Sequence, residues 1–156
     1  NVIVEFVTNK RGVMVDFDLE QFLPYLLNQA AEASSLEFQQ IYKDRYGMLR
    51  NEWRVLFHLG MLGQMTASAM GARAALHKTK ISRAVAKLEA RRFLTRNRDQ
   101  HDRRIEHLCL TGAGRAAYND LREVAQHYDN TLIKGFSDHD AKQLKMMLAK
   151  LAGRRL

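Results

Sequence analysis

Positive charge is concentrated in about a fifth of the sequence. Between Arg73 and Arg104 there are eleven lysine or arginine residues and three acidic residues. The rest of the 156-residue chain has fourteen of each kind, so the formal net charge of +8 comes entirely from this segment. Such a local excess of lysine and arginine is typical of a surface that binds a polyanion, above all a nucleic acid.

Two kinds of predicted element carry these basic residues. Over residues 77–91 the apolar residues recur at helical spacing, which predicts an amphipathic helix. Its opposite face carries Lys80, Arg83, Lys87 and Arg91. At 93–98 and 105–110 the period changes to two, which predicts a β-hairpin around a polar loop. A basic helix suits the major groove of duplex DNA, and a basic hairpin suits the adjacent minor groove.

Helices are predicted on both sides of this segment. A long helix is expected from Asp18 to about Asp44, with Pro24 in its early part, because its apolar residues form one stripe. The other predicted helices cover residues 49–63 and 66–74, and two more begin at the caps Thr111 and Ser137. The predicted fold class is mainly α with a small β-hairpin wing, an α+β arrangement. It comprises a winged helix-turn-helix at 49–110 and dimerisation helices at 18–45 and 111–153.

The whole chain, 1–156, is interpreted as one domain, in which residues 1–15 form an N-terminal extension and Met14 is a candidate natural start. No apolar run approaches the roughly 20 residues of a membrane span, and no signal peptide is recognisable. A cytoplasmic protein without membrane partners is therefore expected. The single cysteine, Cys109, is expected to be a small buried residue in a strand.

Catalysis and cofactors are not expected. The only titratable cluster in the sequence that could support acid/base chemistry is His101, Asp102 and His107. It lies in a basic loop without a nucleophile or a glycine-rich phosphate loop. The six histidines are scattered and lack the spacing of a zinc site. We therefore predict no enzyme, no metal and no cofactor.

Four short pieces follow one another in the sequence: Glu52–Leu56, Ile81–Arg83 with Leu88–Glu89, Asp102–Arg104 and Leu108–Gly114. Through these pieces, from about Leu49 to Tyr118, the sequence resembles the MarR family of bacterial regulators. The resemblance implies a homodimer on a palindromic double-stranded DNA operator, with a recognition helix at 77–91 and a wing at 99–104. It also implies that Asp102 orients Arg104 while an arginine of the wing probes the minor groove.

A repressor released by a small aromatic or phenolic ligand is the function that the resemblance implies. The alternative is a constitutive architectural DNA-binding protein without an effector. The candidate DNA-binding residues are Thr66, Ser68, Lys78, Thr79, Lys80, Ser82, Arg83, Lys87, Arg98, Asp102, Arg103 and Arg104. For an isolated helix, basic residues are more often only a solvated face, but the concentrated charge and the adjoining wing favour DNA here.

An effector pocket is expected between the long first helix and the helix at 49–63. Trp53, His58 and Asn28 are its candidate wall residues, although for each of them a core or surface role is the common alternative.

Two positions depart from the family pattern. Arg92 stands where a glycine usually follows the recognition helix, so a left-handed cap there would cost roughly 1 kcal/mol and the helix is expected to end differently. The short helix after Thr66 lacks the glutamate that commonly follows the capping threonine, so it is expected to be less well fixed.

Overall fold

The computed structural model of the chain describes residues 17–102 and 104–153. The predicted extension at 1–15 and Arg103 lie outside these residues. The chain divides into two compact units, Asn1–Ser34 and Ser35–Leu156. In the first unit, a 3₁₀ helix at Leu19–Gln21 precedes the α-helix α1 at Leu23–Ala33.

The prediction of one helix from Asp18 to Asp44 is wrong at its start. The Asp18 side chain accepts the Glu20 N–H at 2.9 Å and caps only the 3₁₀ turn. The α-helix begins at Leu23, with Pro24 in its first turn. Proline has no N–H to continue a preceding helical turn, but it is well tolerated at a helix start.

The same prediction is also wrong in the middle, because α1 ends at Ala33 and the next helix begins at Leu36. Ser34 and Ser35 separate the two helices. The Ser34 hydroxyl donates to the Ala31 carbonyl at 3.5 Å. Serine competes in this way with the regular helical hydrogen bonds, so two consecutive serines favour an interruption that apolar spacing alone does not reveal.

The second unit contains six helices and three strands among the described residues. In chain order they are α2 (Leu36–Tyr46), α3 (Arg50–Leu62), β1 (Met65–Thr66), α4 (Ala67–Ala74), α5 (Lys78–Ala90), β2 (Leu94–Arg98), β3 (Glu106–Leu110), α6 (Gly112–Leu132) and α7 (Asp138–Leu151). The predicted fold class is confirmed. Thr66, Thr111 and Ser137 cap helices as expected.

Three antiparallel strands form the sheet, in the order β1-β3-β2. β2 and β3 are the predicted hairpin, with Arg98 opposite Glu106 and Leu94 opposite Leu110. The two-residue strand β1 was not predicted, since two residues are too few to show a period. Thr66 pairs with His107 through β1, so the start of α4 is attached directly to the wing.

Apolar residues of α3 and α5 form a large part of the core of the second unit, together with residues of α2, α4, α6 and the sheet. Val55, Leu56 and Leu59 of α3 are buried, as are Ile81, Ala84, Val85 and Leu88 of α5. The helical spacing predicted this apolar face of α5. Burial of one face of α5 leaves its basic face outward.

The turn after α5 retains a left-handed residue although no glycine is present. Arg92 has φ +60°, so the expectation that the helix ends differently is wrong. The Arg92 N–H donates to the Glu89 carbonyl at 2.8 Å, and its own carbonyl accepts the Thr111 hydroxyl at 2.6 Å. Hydrogen bonds to both sides of the residue offset the strain of this conformation.

Close packing explains one glycine of the Leu108–Gly114 piece. A Cβ on Gly114 would lie 1.8 Å from the Phe93 carbonyl oxygen. The Thr111 N–H donates to the same oxygen at 3.1 Å. The beginning of α6 is thus fixed against Phe93, the residue that precedes β2. Among the described residues, no helix is both long enough and apolar enough to cross a membrane.

Candidate nucleic-acid interface

Helix α4 and the beginning of α5 form the first part of the predicted interface. The Thr66 hydroxyl accepts the Ala69 N–H at 3.2 Å and caps α4. The helix is therefore capped in spite of the missing glutamate. Ser68 is exposed on α4, and it lines a cavity of about 540 Å³ between α4 and α5 together with Lys78, Ser82 and Arg96.

The first half of α5 presents a continuous set of exposed polar and basic side chains. His77 caps the helix, since its Nδ1 accepts the Thr79 N–H at 3.4 Å. The exposed residues that follow are Lys78, Thr79, Lys80, Ser82 and Arg83. No carboxylate among residues 17–102 and 104–153 forms an ion pair with Lys78, Lys80 or Arg83. Their charges are therefore directed to solvent or to a ligand.

The second half of α5 differs because its basic residues have an acidic partner. The Arg91 Nη1 lies 2.8 Å from Oε2 of Glu52, and the Lys87 Nζ lies 3.4 Å from Oε1 of the same residue. Arg91 also donates from Nη2 to the Gly47 carbonyl at 2.6 Å. The side chain of Lys87 remains 52% exposed, so this predicted DNA-binding residue is accessible but already paired.

Arg96 attaches strand β2 to α5. The Arg96 Nε lies 3.1 Å from Oε2 of Glu89, and its Nη1 lies 3.6 Å from Oε2 of Glu106. These pairs connect α5, β2 and β3, and they fix the base of the wing relative to the helix. Arg98, at the end of β2, is exposed and forms no ion pair within the described part of the chain.

Two aspartates organise the wing loop. Asp99 Oδ1 accepts the N–H groups of His101 and Asp102 at 2.8 and 3.1 Å, and its Oδ2 lies 3.1 Å from Nε2 of His107. The two backbone hydrogen bonds, followed by the His107 contact, hold the pKa of the Asp99 carboxyl below its usual range. The loop is thus closed by a side chain that belongs to the loop itself.

The second aspartate, Asp102, binds Arg104 in a bidentate arrangement. The Arg104 Nε and Nη2 donate to Oδ1 and Oδ2 of Asp102 at 3.1 and 3.2 Å, and the Arg104 N–H donates to Oδ1 at 3.0 Å. The hydrogen bonds from Arg104 hold the pKa of the Asp102 carboxyl below its usual range. The Arg104 side chain is still 91% exposed. It is therefore oriented without being covered, which is the contact that the resemblance implied.

Sequence reasoning did not find the contacts of Glu52. This residue is 2% exposed, and its carboxylate accepts the Leu49 N–H at 3.1 Å at the beginning of α3. This contact is the glutamate half of a capping box, but the usual sequence signal is missing because Leu49 stands where a serine or threonine is expected. The pairing of Glu52 with Lys87 and Arg91 could not be predicted either, because it depends on how α3 and α5 pack.

The predicted effector residues do not all lie in one unit. Asn28 is an exposed residue of α1 in the first unit, whereas Trp53 and His58 are half-buried residues of α3 in the second. Trp53 belongs to an aromatic cluster, with ring centroids 5.4 Å from Phe38 and 4.9 Å from Phe57. The core role of Trp53 is thereby supported, and a pocket that includes Asn28 remains a prediction.

Cys109 lies in β3 as expected, but it is only half-buried. Its Sγ lies 3.3 Å from Oε1 of Gln64 and 3.5 Å from Nδ2 of Asn97. The thiol therefore fills a polar position beside the sheet rather than a core position.

Comparisons with known proteins agree with this geometry. The model of the MarR family matches residues 46–105, the range that contains α3 to the wing loop. No protein with a curated function matches the chain significantly. Among solved structures, a MarR family transcriptional regulator from Silicibacter pomeroyi DSS-3 is 27% identical, with a TM-score of 0.76 over 88% of this chain and 98% of that one.

Two further structures share the fold at lower identity. A MarR/EmrR family regulator from Acinetobacter sp. ADP1 is 23% identical, with a TM-score of 0.79 over 88% of this chain and 96% of that one. BpsR of Bordetella bronchiseptica, whose DNA binding is regulated by 6-hydroxynicotinic acid, is 21% identical. Its TM-score is 0.81 over 89% of this chain and 99% of that one. The segment 46–105, which holds the winged helix, thus matches the MarR family, and solved MarR regulators share the fold around it.

Proposed function

We propose that this protein is a sequence-specific regulator that binds double-stranded DNA as a homodimer. The observation that carries the proposal is the set of unpaired cations on the exposed half of α5, next to an oriented wing arginine. Cations without a protein partner retain their full electrostatic attraction for phosphates. The same residue types can also donate bidentate hydrogen bonds to guanine in the major groove.

The roles of individual residues follow from their positions on α5. Arg83, in the first half of the helix, is proposed to contact base edges, and a bidentate contact to guanine is worth about 1–3 kcal/mol of discrimination. Thr79, Lys80 and Ser82 are proposed to share that surface. Lys87, one turn after Arg83, is proposed to lie near the phosphates as the helix leaves the groove.

The remaining candidate residues are proposed to hold the duplex on both sides of α5. Thr66, Ser68 and Lys78 would contact the backbone next to α4. Arg98 and the wing loop, with Asp102, Arg103 and Arg104, would follow the neighbouring minor groove, where a narrow A/T-rich segment favours an inserted arginine.

The homodimer is proposed because α7 leaves its apolar residues uncovered. Leu144, Met147, Leu148 and Leu151 are between 39% and 60% exposed. A row of this kind on one helix is unusual for a monomer surface and is typical of an interface. We expect light scattering at micromolar concentration to give twice the chain mass of 18.0 kDa; a mass of one chain would contradict the dimer.

Base recognition is tested with a palindromic duplex that the full chain selects from a random-sequence library. Fluorescence anisotropy then compares this duplex with a scrambled one at several salt concentrations. We expect Arg83→Ala to reduce the preference for the selected duplex about tenfold or more. Equal losses on both duplexes would favour the architectural alternative, and the absence of any salt-dependent binding would contradict DNA binding itself.

An effector is proposed by analogy with BpsR, whose DNA binding 6-hydroxynicotinic acid regulates. We propose that a small aromatic acid binds this chain and releases its DNA, which would make the protein a repressor. A ligand that binds only the folded state raises the melting temperature. A thermal-shift screen that starts with 6-hydroxynicotinic acid, followed by anisotropy with the compounds that shift the melting temperature, tests the proposal; stabilisation without DNA release would contradict it.

A further inference from the structure

The buried carboxylate of Glu52 stands apart from the other charged groups of the described residues. All the other acidic residues of those ranges are at least partly exposed, whereas Glu52 is 2% exposed. A buried carboxylate is retained only when it is paired and hydrogen-bonded. Glu52 meets this requirement through the Leu49 N–H and the two cations of the second half of α5.

Glu52 also faces the surface that is proposed to bind DNA. A cavity of about 500 Å³ between the start of α3 and α5 is lined by Glu52 together with Lys80, Arg83 and Lys87. The carboxylate therefore lies at the wall of a space that three cations of the basic helix also border. Its negative charge opposes the attraction of these cations for phosphates.

The two halves of α5 consequently differ in available charge. Lys80 and Arg83 have no acidic partner in residues 17–102 and 104–153, while the ammonium group of Lys87 lies 3.4 Å from Glu52. To neutralise a phosphate fully, Lys87 must leave this carboxylate or share its charge with it. A lysine that remains paired releases fewer counterions from DNA than an unpaired one.

We infer that Glu52 limits the positive charge that the recognition helix offers to DNA, and that it does so by holding Lys87. This inference rests on the proposed DNA binding. It makes Glu52 a positioning residue that sets affinity and salt dependence from a buried position. It also lowers the expected contribution of Lys87, which sequence position alone would count as a full phosphate contact.

The test compares the native chain with Glu52→Gln on the selected duplex and measures the dissociation constant between about 50 and 200 mM salt. Glutamine retains an acceptor for Leu49 and Arg91 but removes the charge. We expect tighter binding at low salt and a salt slope that is steeper by up to about 0.9. Such an increase corresponds to about a threefold larger loss of affinity over this salt range.

A purely structural role of Glu52 predicts the opposite sign, because a loosened helix binds DNA more weakly. Adding Lys87→Ala to Glu52→Gln should remove the extra slope, since the released charge is that of Lys87. Glu123→Gln makes the same change of charge on the exposed surface of α6 and serves as the control. An unchanged or shallower slope for a folded Glu52→Gln protein would overturn the inference.

A second comparison holds even where Glu52→Gln does not fold. In the native background, Lys87→Ala should reduce the salt slope by less than half as much as Lys78→Ala, because both lysines are proposed to lie at phosphates and only Lys87 is paired. Equal reductions would overturn the inference while leaving DNA binding intact. If the native chain itself shows no salt-dependent binding to the duplex, the proposed function fails rather than this inference.

Discussion

Two of the carboxylates that orient cations on this protein do so from opposite environments. Asp102 lies in the wing loop two residues before Arg104, and the side chains of both are exposed, by 39% and 91%. Glu52 lies in the core, 39 residues before Arg91, and its side chain is 3% exposed. The first pair needs only a short loop in one conformation. The second exists only when α3 and α5 have already packed.

The difference in burial leads us to expect different roles for the two carboxylates, one in stability and one in function. An exposed ion pair contributes at most about 1 kcal/mol, because water competes for both partners. Removing one partner of a buried pair costs much more, since the other charge or donor is left without water. We therefore expect the Glu52 contacts to matter for folding and the Asp102 contact to matter mainly for the direction of Arg104.

The largest effect is expected from Glu52→Ala, which removes the acceptor of Arg91 and of the Leu49 N–H. The free energy of unfolding should fall by about 1–3 kcal/mol, which is below the value for a fully buried pair because Arg91 is 32% exposed and reaches water. Urea denaturation, monitored by circular dichroism, measures this change in the free energy of unfolding. Glu123→Ala on α6 is the control, and a loss for Glu52→Ala no larger than that of the control would remove the distinction between the two carboxylates.

The sequence predicts contacts between residues that are close in the chain better than contacts between distant elements. The wing hairpin and the helix α5 depend on residues close together in the chain, so periodicity was sufficient to predict them. The Asp102–Arg104 contact is equally local, and the family resemblance implied it. The Glu52 pairs depend on contacts between distant elements, for which one sequence offers no signal. The helix break at Ser34 and Ser35 was missed for another reason: apolar spacing continues through it, while the backbone hydrogen bonds do not.

A moderate effect is expected at Arg92, the residue between α5 and the wing. Its φ of +60° is costly for arginine and free of strain for glycine. Arg92→Gly should raise the free energy of unfolding by about 0.5–1 kcal/mol, because part of the relieved strain is offset by the greater freedom of glycine in the unfolded chain.

Ala86→Gly provides the matched control for Arg92, since Ala86 lies inside α5 in helical conformation. Glycine there should lower stability by about 1 kcal/mol. Thermal unfolding of both variants therefore gives shifts of opposite sign. If Arg92→Gly is also destabilised, the long arginine side chain rather than the backbone conformation stabilises this turn.

A smaller effect on stability is expected from Asp102→Ala in the wing. The exposed pair should contribute little to the free energy of unfolding, because water competes for both partners. Affinity for the selected duplex should nevertheless fall several-fold, because Arg104 loses the contact that directs it. Asp102→Asn retains an acceptor for the Arg104 backbone and should lose less affinity. A stability loss as large as that of Glu52→Ala would contradict the comparison.

The smallest effect concerns the titration of Asp102. Hydrogen bonds from the Arg104 side chain and backbone hold the pKa of this carboxyl below its usual range in the folded protein. A carboxyl with a lowered folded pKa stabilises the fold above its unfolded pKa, and this contribution is lost as the pH falls through the folded pKa. The orientation of Arg104 should therefore persist through mildly acidic pH and fail only below the usual pKa range of an aspartate. Carboxyl carbon NMR shifts, recorded from neutral pH downward, measure the titration directly.

Arg104→Ala should raise the pKa of Asp102 only part of the way, because the backbone N–H at residue 104 remains in place as a donor. Asp99, whose pKa is lowered mainly by the backbone N–H groups of His101 and Asp102, should be almost unaffected by the same substitution. A full return of Asp102 to the usual range would mean that the loop itself depends on the Arg104 side chain, and the wing would then be as dependent on an ion pair as the core is on Glu52.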